Sequence, residues 1–198
     1  MSNESRQNQR SAATRRKLLD AARTLFAERG YAAVGTEEIV RAAGVTRGAL
    51  YHQFPDKAEL LAALINEIDA EVSQQIVNGA LAGATNQLDA LIAGGEAFLE
   101  AVERPEVHRV SLIDGVSVLG WERRRAIGQE HGLGLIEAVL ISGMDDGLIR
   151  RTPARPMAHV LLGALDEAAL YVAAAEDRDA ARDEMRVVLR TLLEALRA

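Results

Sequence analysis

The residues best placed to do chemistry in this chain cluster between positions 36 and 57, TEEIVRAAGVTRGALYHQFPDK. This stretch reads as two helices of about two turns each, joined through Gly44 and Val45, the layout of a helix-turn-helix. Thr36 opens the first helix as a capping residue. Thr46 caps the second and is followed by Arg47, Gly48 and Ala49, a cation flanked by side chains too small to obstruct a close approach. Such a helix end fits the major groove of double-stranded DNA, where an arginine reaches guanine O6 and N7 and a methyl-sized side chain meets a thymine methyl. Tyr51 and His52, one turn on, are placed for phosphate oxygens, and Lys57 for a phosphate contact through backbone N–H and charge.

Other chemistries find little support. The chain has no cysteine, which removes disulfides, thiol nucleophiles and thiolate metal sites together. It carries no glycine-rich phosphate loop, no G-x-S-x-G and no pair of polar groups with catalytic spacing, so no enzyme is expected and no cofactor. His108, His131 and His159 lack metal-ligand spacing with one another or with a carboxylate pair, so no metal site is expected. Asp145-Asp146-Gly147 lacks the later ligands of a calcium loop and reads as a turn.

The net charge of −6 is unevenly spread. Residues 1–60 hold ten Lys/Arg against seven Asp/Glu, whereas residues 61–198 hold thirteen against twenty-two. A basic head on an acidic body is what a small DNA-binding module fused to a larger domain shows. At 48% apolar and 26% charged residues, the composition is that of an ordinary globular protein. No apolar run looks long enough to span a bilayer, and the polar, basic N-terminus is no secretory signal, so no membrane partner is expected and the cytoplasm is the default.

The positioning elements are helical nearly throughout, since Ala, Leu, Glu and Arg dominate and strand-like alternation is absent. A first helix is expected from about Ser11 to Arg29, with Leu18, Ala22, Leu25 and Phe26 on one face and Gly30 as its stop. Ile39, Ala43, Val45 and Leu50 then lock the two short helices onto that face. Asp56 with Glu59 three residues on resembles a capping box and opens a long helix from Lys57 to about Val77. Further helices are expected near 86–103, 106–114, 117–143, 157–175 and 179–197. The organisation is thus a flexible basic arm (1–10), a helix-turn-helix domain (11–56) and a helical domain (57–198), about nine helices in an all-α fold.

The run from Thr14 to about Leu61, with its LF-ERGY segment, AAGV turn and G-LY-HF-like stretch, resembles the N-terminal domain of TetR-family transcriptional regulators. Gln53 departs from the family's habit of a second histidine or a tyrosine-phenylalanine pair there. The resemblance implies a homodimer reading a palindromic operator, with a C-terminal domain for ligand binding and dimerisation. It implies most simply a repressor released by a small molecule. A regulator without a small-molecule sensor, acting as an activator or under a partner protein, is the alternative, and an enclosed cavity in the C-terminal domain discriminates between them. Apolar stripes and small residues place the dimer interface on the last two helices, at Leu161, Ala164, Leu165, Ala168, Leu189, Leu192 and Leu196. A ligand pocket is expected at Phe98, His108, Leu112, Asp114 and Trp121, although Trp121 also suits a core, and Asp114 could simply satisfy His108. The effector is then apolar or amphipathic.

Overall fold

The computed structural model describes residues 3–198, which form nine α-helices and two π-helical segments. Helix α1 (Asn3–Arg29) stops at Gly30, whose φ of 80° lies in the left-handed region. It starts at Asn3 rather than Ser11, so residues 3–10 continue the helix instead of forming a flexible arm; Met1 and Ser2 lie outside the described residues.

Helices α2 (Thr36–Ala43) and α3 (Arg47–Gln53) are joined through Gly44, at φ 63°, whose N–H groups with Val45 close the end of α2. The cap of α2 falls on Gly35, not Thr36, and no side chain bonds there. Thr46 does cap α3, its hydroxyl accepting from the Ala49 N–H at 3.2 Å. Ile39 and Leu50 are fully buried against Leu18, Ala22 and Phe26 of α1, with Ala43, Val45 and Leu25 packed around them.

Helix α4 (Lys57–Ile76) begins on Asp56, whose carboxylate accepts from the Glu59 N–H at 2.8 Å. Only half of the expected capping box forms. The Glu59 carboxylate reaches across to Arg123 in a two-pronged pair at 2.7 and 2.8 Å, and that hydrogen bond draws its pKa below the usual range. The inward side of α4 (Leu60, Leu61, Leu64, Ile65, Ile68, Val72) belongs to the same core as the head. One apolar core therefore runs across the expected boundary at residue 57 and includes Val107, Val110 and Ile127 of the C-terminal part.

A π-helical segment (Val77–Leu81) ends α4, and α5 (Gln87–Ala101) follows, capped by Asn86. A second π-helical segment (Glu106–Asp114) leads into the short α6 (Gly115–Leu119). Gly120, at φ 78°, then breaks the chain before α7 (Trp121–Asp145), so the single helix expected over 117–143 is two. Helices α8 (Ala154–Ala174) and α9 (Arg178–Glu194) complete the fold. Pro156, expected in a loop, sits in the first turn of α8, where a missing N–H costs nothing.

By length and composition α8 could cross a membrane, with a mean hydropathy of 1.4 over its most apolar window, contrary to the expectation that no run is long enough. In this fold its apolar surface has other uses. One side packs against α5, α7 and α9, and the other presents Val160 and Tyr171 outward.

Because Asp56 starts the helix that joins the head to the body, replacing it should loosen both. Asp56→Ala is expected to lower unfolding free energy by about 1 kcal/mol, measured by urea denaturation followed by helical circular dichroism. An unchanged midpoint would show that the cap contributes nothing.

Candidate DNA-binding surface and cavity

The outer face of the helix-turn-helix is built by exclusion. Leu50 fills the core from the middle of α3, so Arg47, Gly48, Tyr51 and His52 on the opposite side stand in solvent, with Thr46 exposed ahead of them and Ala49 partly exposed. Thr36 is partly buried at the start of α2. Arg47 is already held: Nη1 donates to Glu37 Oε1 at 2.9 Å, and the guanidinium carbon lies 5.6 Å from the centre of the Tyr51 ring. Both partners are exposed, so the pair is weak and exchangeable.

Lys57 is placed differently from expectation. Its Nζ turns inward, donating to Tyr31 O and Val34 O at 2.9 Å each and lying 3.8 Å from the centre of the Tyr31 ring. Burial lowers its pKa while nearby Asp114 opposes that. The ammonium fastens the turn after α1 to the start of α4.

The second feature is a partly open cavity lined by α4, α5, the 106–114 segment, α7, α8 and α9. It holds about 120 Å³ of space open to the centre of a water molecule. Glycines open it: Gly94 and Gly95 on α5 and Gly128 and Gly132 on α7 line it where larger side chains would fill it. Leucines, Phe98, Ile136 and Val139 make most of the wall. The polar part centres on Asp69 and Arg124, whose Nη1 is 2.9 Å from Asp69 Oδ2. Ser111, the one fully buried polar residue among those described, donates to Asp69 Oδ1 at 2.8 Å, and its hydroxyl and carbonyl oxygens accept from Arg124 at 2.8 and 2.9 Å.

Of the five residues expected to line the pocket, Phe98 and Leu112 do so. His108 instead lies with Nε2 3.2 Å from Ala173 O, and Asp114 Oδ2 accepts from the Tyr31 N–H at 2.8 Å. Trp121 is 50% exposed and borders a smaller adjoining cleft with Val116, Arg125 and Leu170. The cause is the winding of residues 106–114. With i→i+5 hydrogen bonds, Val107 shares a face with Ser111 and Leu112, while His108 and Asp114 rotate to the flanks. Asp69, Ser111, Arg124, His131 and Asp166 were missed. Two left a trace: Asp69 lies four residues after Ile65 and three before Val72, and Asp166 lies four after Leu162 and three before Ala169, acids set into apolar stripes.

The residues expected to pair two copies also turn inward for the most part. Leu161, Ala164, Leu165 and Leu189 border the cavity, Ala168 is buried, and Leu196 packs on the core; Leu192 is half-exposed at the rim. The outward stripe is another one, formed by Val160 and Tyr171 on α8 and by Val187, Val188 and Leu192 on α9, with Val160 and Val187 each 66% exposed.

Both halves of the chain match known proteins. Residues 18–64 match the bacterial regulatory proteins of the tetR family, and residues 88–196 match the tetracyclin repressor-like C-terminal domain. The chain is 30% identical over 144 residues to the Transposon Tn10 TetC protein of Escherichia coli, covering 71% of this chain and 70% of that one. It is 33% identical over 115 residues to an HTH-type transcriptional repressor of Mycobacterium tuberculosis, covering 58% of this chain and 60% of that one. The crystal structure of a TetR-family transcriptional regulator from Pectobacterium atrosepticum aligns with a TM-score of 0.86 at 30% identity, over 100% of this chain and 98% of the other. With the family's N-terminal and C-terminal domains both matched, this chain belongs to the TetR family of transcriptional regulators.

Proposed function

We propose that the protein acts in the cytoplasm as a homodimeric repressor that grips a palindromic operator and is released when a small molecule enters the α4–α9 cavity. The observation that carries this reading is the single apolar core shared by the helix-turn-helix, α4 and the 106–114 segment, because α4 and that segment are also walls of the cavity.

Thr46, Arg47, Gly48, Ala49, Tyr51 and His52 form the DNA surface, with Arg47 as the base reader once Glu37 releases it, and Thr36 and the backbone at Lys57 at its flanks. The outward apolar stripe of α8 and α9 supplies the second-copy interface, and Gly163, with open space where a Cβ would stand, lets two α8 helices approach closely. Two heads on one face of DNA need recognition helices about 34–36 Å apart, one helical turn.

The route from cavity to head runs through residues 106–114. Ser111 and Leu112 face the cavity, whereas Asp114 holds the Tyr31 N–H and Arg109 donates to Arg29 O at 3.1 Å. Arg109 also fills the space where a side chain at position 30 would start, its Nε 2.8 Å from that point. A ligand that binds the DNA-incompetent arrangement more tightly shifts the heads out of register; equal affinity for both arrangements would shift nothing.

The test is fluorescence anisotropy on a palindrome selected from random duplexes. Arg47→Ala is expected to cost about 1–3 kcal/mol on that palindrome and to relax preference at one base pair, while binding to unrelated duplex changes little. Equal losses on both would remove Arg47 as a base reader. Val188→Asp places an unpaired charge in the outward stripe and is expected to give monomers by light scattering, with helical content kept and palindrome binding lost. A dimer that persists in this variant would place the interface elsewhere.

A further inference from the structure

The polar groups around the cavity do not cancel. Arg124 and Asp69 neutralise each other, and Ser111 completes their hydrogen bonds. His131 lies with Nε2 2.9 Å from Asn66 Oδ1 and is satisfied there. Asp166, on the inward face of α8, is left over: among the described residues it has neither a hydrogen bond nor an ion pair, and it borders both the main cavity and the cleft beneath Trp121. Most of its neighbours on those walls are apolar, Leu112, Leu165 and Leu170 among them, and Arg125 borders only the smaller cleft.

A carboxylate in that position is partly withdrawn from water and has no partner. Burial pushes its pKa up to about 6, Arg124 pulling it back and Asp69 adding to the rise, with Arg125 pulling back in turn. Arg124 does not relieve it, because its guanidinium is directed at Asp69 and Ser111. Among the residues that line the main cavity, charge accounting therefore leaves one negative site facing a largely apolar chamber, with Arg125 on the adjoining cleft.

We infer that the effector is a cationic amphipath, a single protonated amine or comparable cation set against Asp166 with its apolar body along Phe98, Leu135, Ile136 and Leu161. This rests on the cavity being the sensor site. A charge-assisted hydrogen bond against such largely apolar walls is stronger than in open water because the local dielectric is lower. An anionic ligand in the main cavity would meet Asp166 with like charge and find Arg124, among the described residues the one guanidinium lining that cavity, already paired.

A chain-matched series separates the possibilities: octylamine, 1-octanol and octanoate, titrated calorimetrically into the full-length protein. Octanol reports whether the cavity takes an apolar body at all, and the ratio of octylamine to octanol reports the charge preference. Octylamine is expected to bind about tenfold tighter than octanol at pH 7.5, with octanoate the weakest. Asp166→Asn should abolish the amine preference and leave octanol affinity in place. The pH dependence of the unaltered protein gives an independent reading. An alkylamine stays protonated throughout, since its pKa is near that of lysine at about 10.4, so octylamine affinity should fall as pH drops through about 6 and Asp166 takes up a proton. Octanol affinity should stay flat over that range. The other ionisable groups facing this region are Asp69 on α4 and Arg124, Arg125 and His131 on α7, with His108 turned away toward Ala173 O, and the Asp166→Asn variant, which keeps them all, should lose the pH dependence. Octylamine and octanol binding equally would overturn the inference while leaving the cavity as a sensor. So would octanoate binding tightest, or an amine preference that survives Asp166→Asn. If none of the three binds, the sensor reading of the cavity fails with it.

Discussion

Asp69 and Arg124 meet 2.9 Å apart at the point where α4, α7 and the 106–114 segment converge, with side chains only 13% and 11% exposed. Two charges withdrawn this far from water are tolerable only when their remaining hydrogen-bonding capacity is met, because desolvation otherwise exceeds the Coulombic gain. Ser111 meets it, bonding to both. The arrangement contributes modest net stability, but it ties three elements to one relative position. Removing either charge strands the other, at a cost of about 3–5 kcal/mol. The wall of the cavity and the seat of the DNA-binding head are both referenced to this pair.

The 106–114 segment gives that fixed point its reach. An α-helix there would have put His108 and Leu112 on one face. The wider π winding instead splits the side chains between two environments, Val107, Ser111 and Leu112 toward the cavity, Arg109 and Asp114 toward the end of α1. π-Helical turns are uncommon and concentrate at functional sites. Here the winding lets nine residues touch both the chamber and the head. Lys57 works from the other side, its ammonium tying the carbonyls of the same turn to the start of α4.

How much of this was legible depended on how local its causes were. The helix-turn-helix was readable because its determinants lie within a few residues of one another: a left-handed Gly44, a capping Thr46, an inward Leu50. Lys57 misled because a lysine at a helix start suits phosphate as well as it suits two backbone carbonyls brought near by the preceding turn. The outward stripe of α8 was hidden because that helix is apolar nearly all round, so periodicity offers two stripes and favours the more regular, which is the inward one. The pocket was half-found for a similar reason. Its apolar lining looks like core, and its hollow is made by absent side chains at Gly94, Gly95, Gly128 and Gly132. Asp69 and Asp166 were visible as acids in apolar stripes, but only the folded chain shows that one is paired and the other is not.

Those four glycines set how the protein can change over generations. Each sits inside a helix, where glycine is less favourable than alanine by about 1 kcal/mol. Most mutations that reshape a binding site destabilise the protein that carries it. At Gly95 a substitution that narrows the chamber would also improve its helix, since an added Cβ would meet Leu165 at an ordinary 3.5 Å, whereas at Gly128 and Gly132 it would press on Arg124 and Leu162 at 3.3 and 3.1 Å. The chamber can thus change shape at Gly95 by a single step without weakening its helix, while the helix-turn-helix stays as it is. A lineage built this way should vary in the shape of its chamber faster than in its helix-turn-helix.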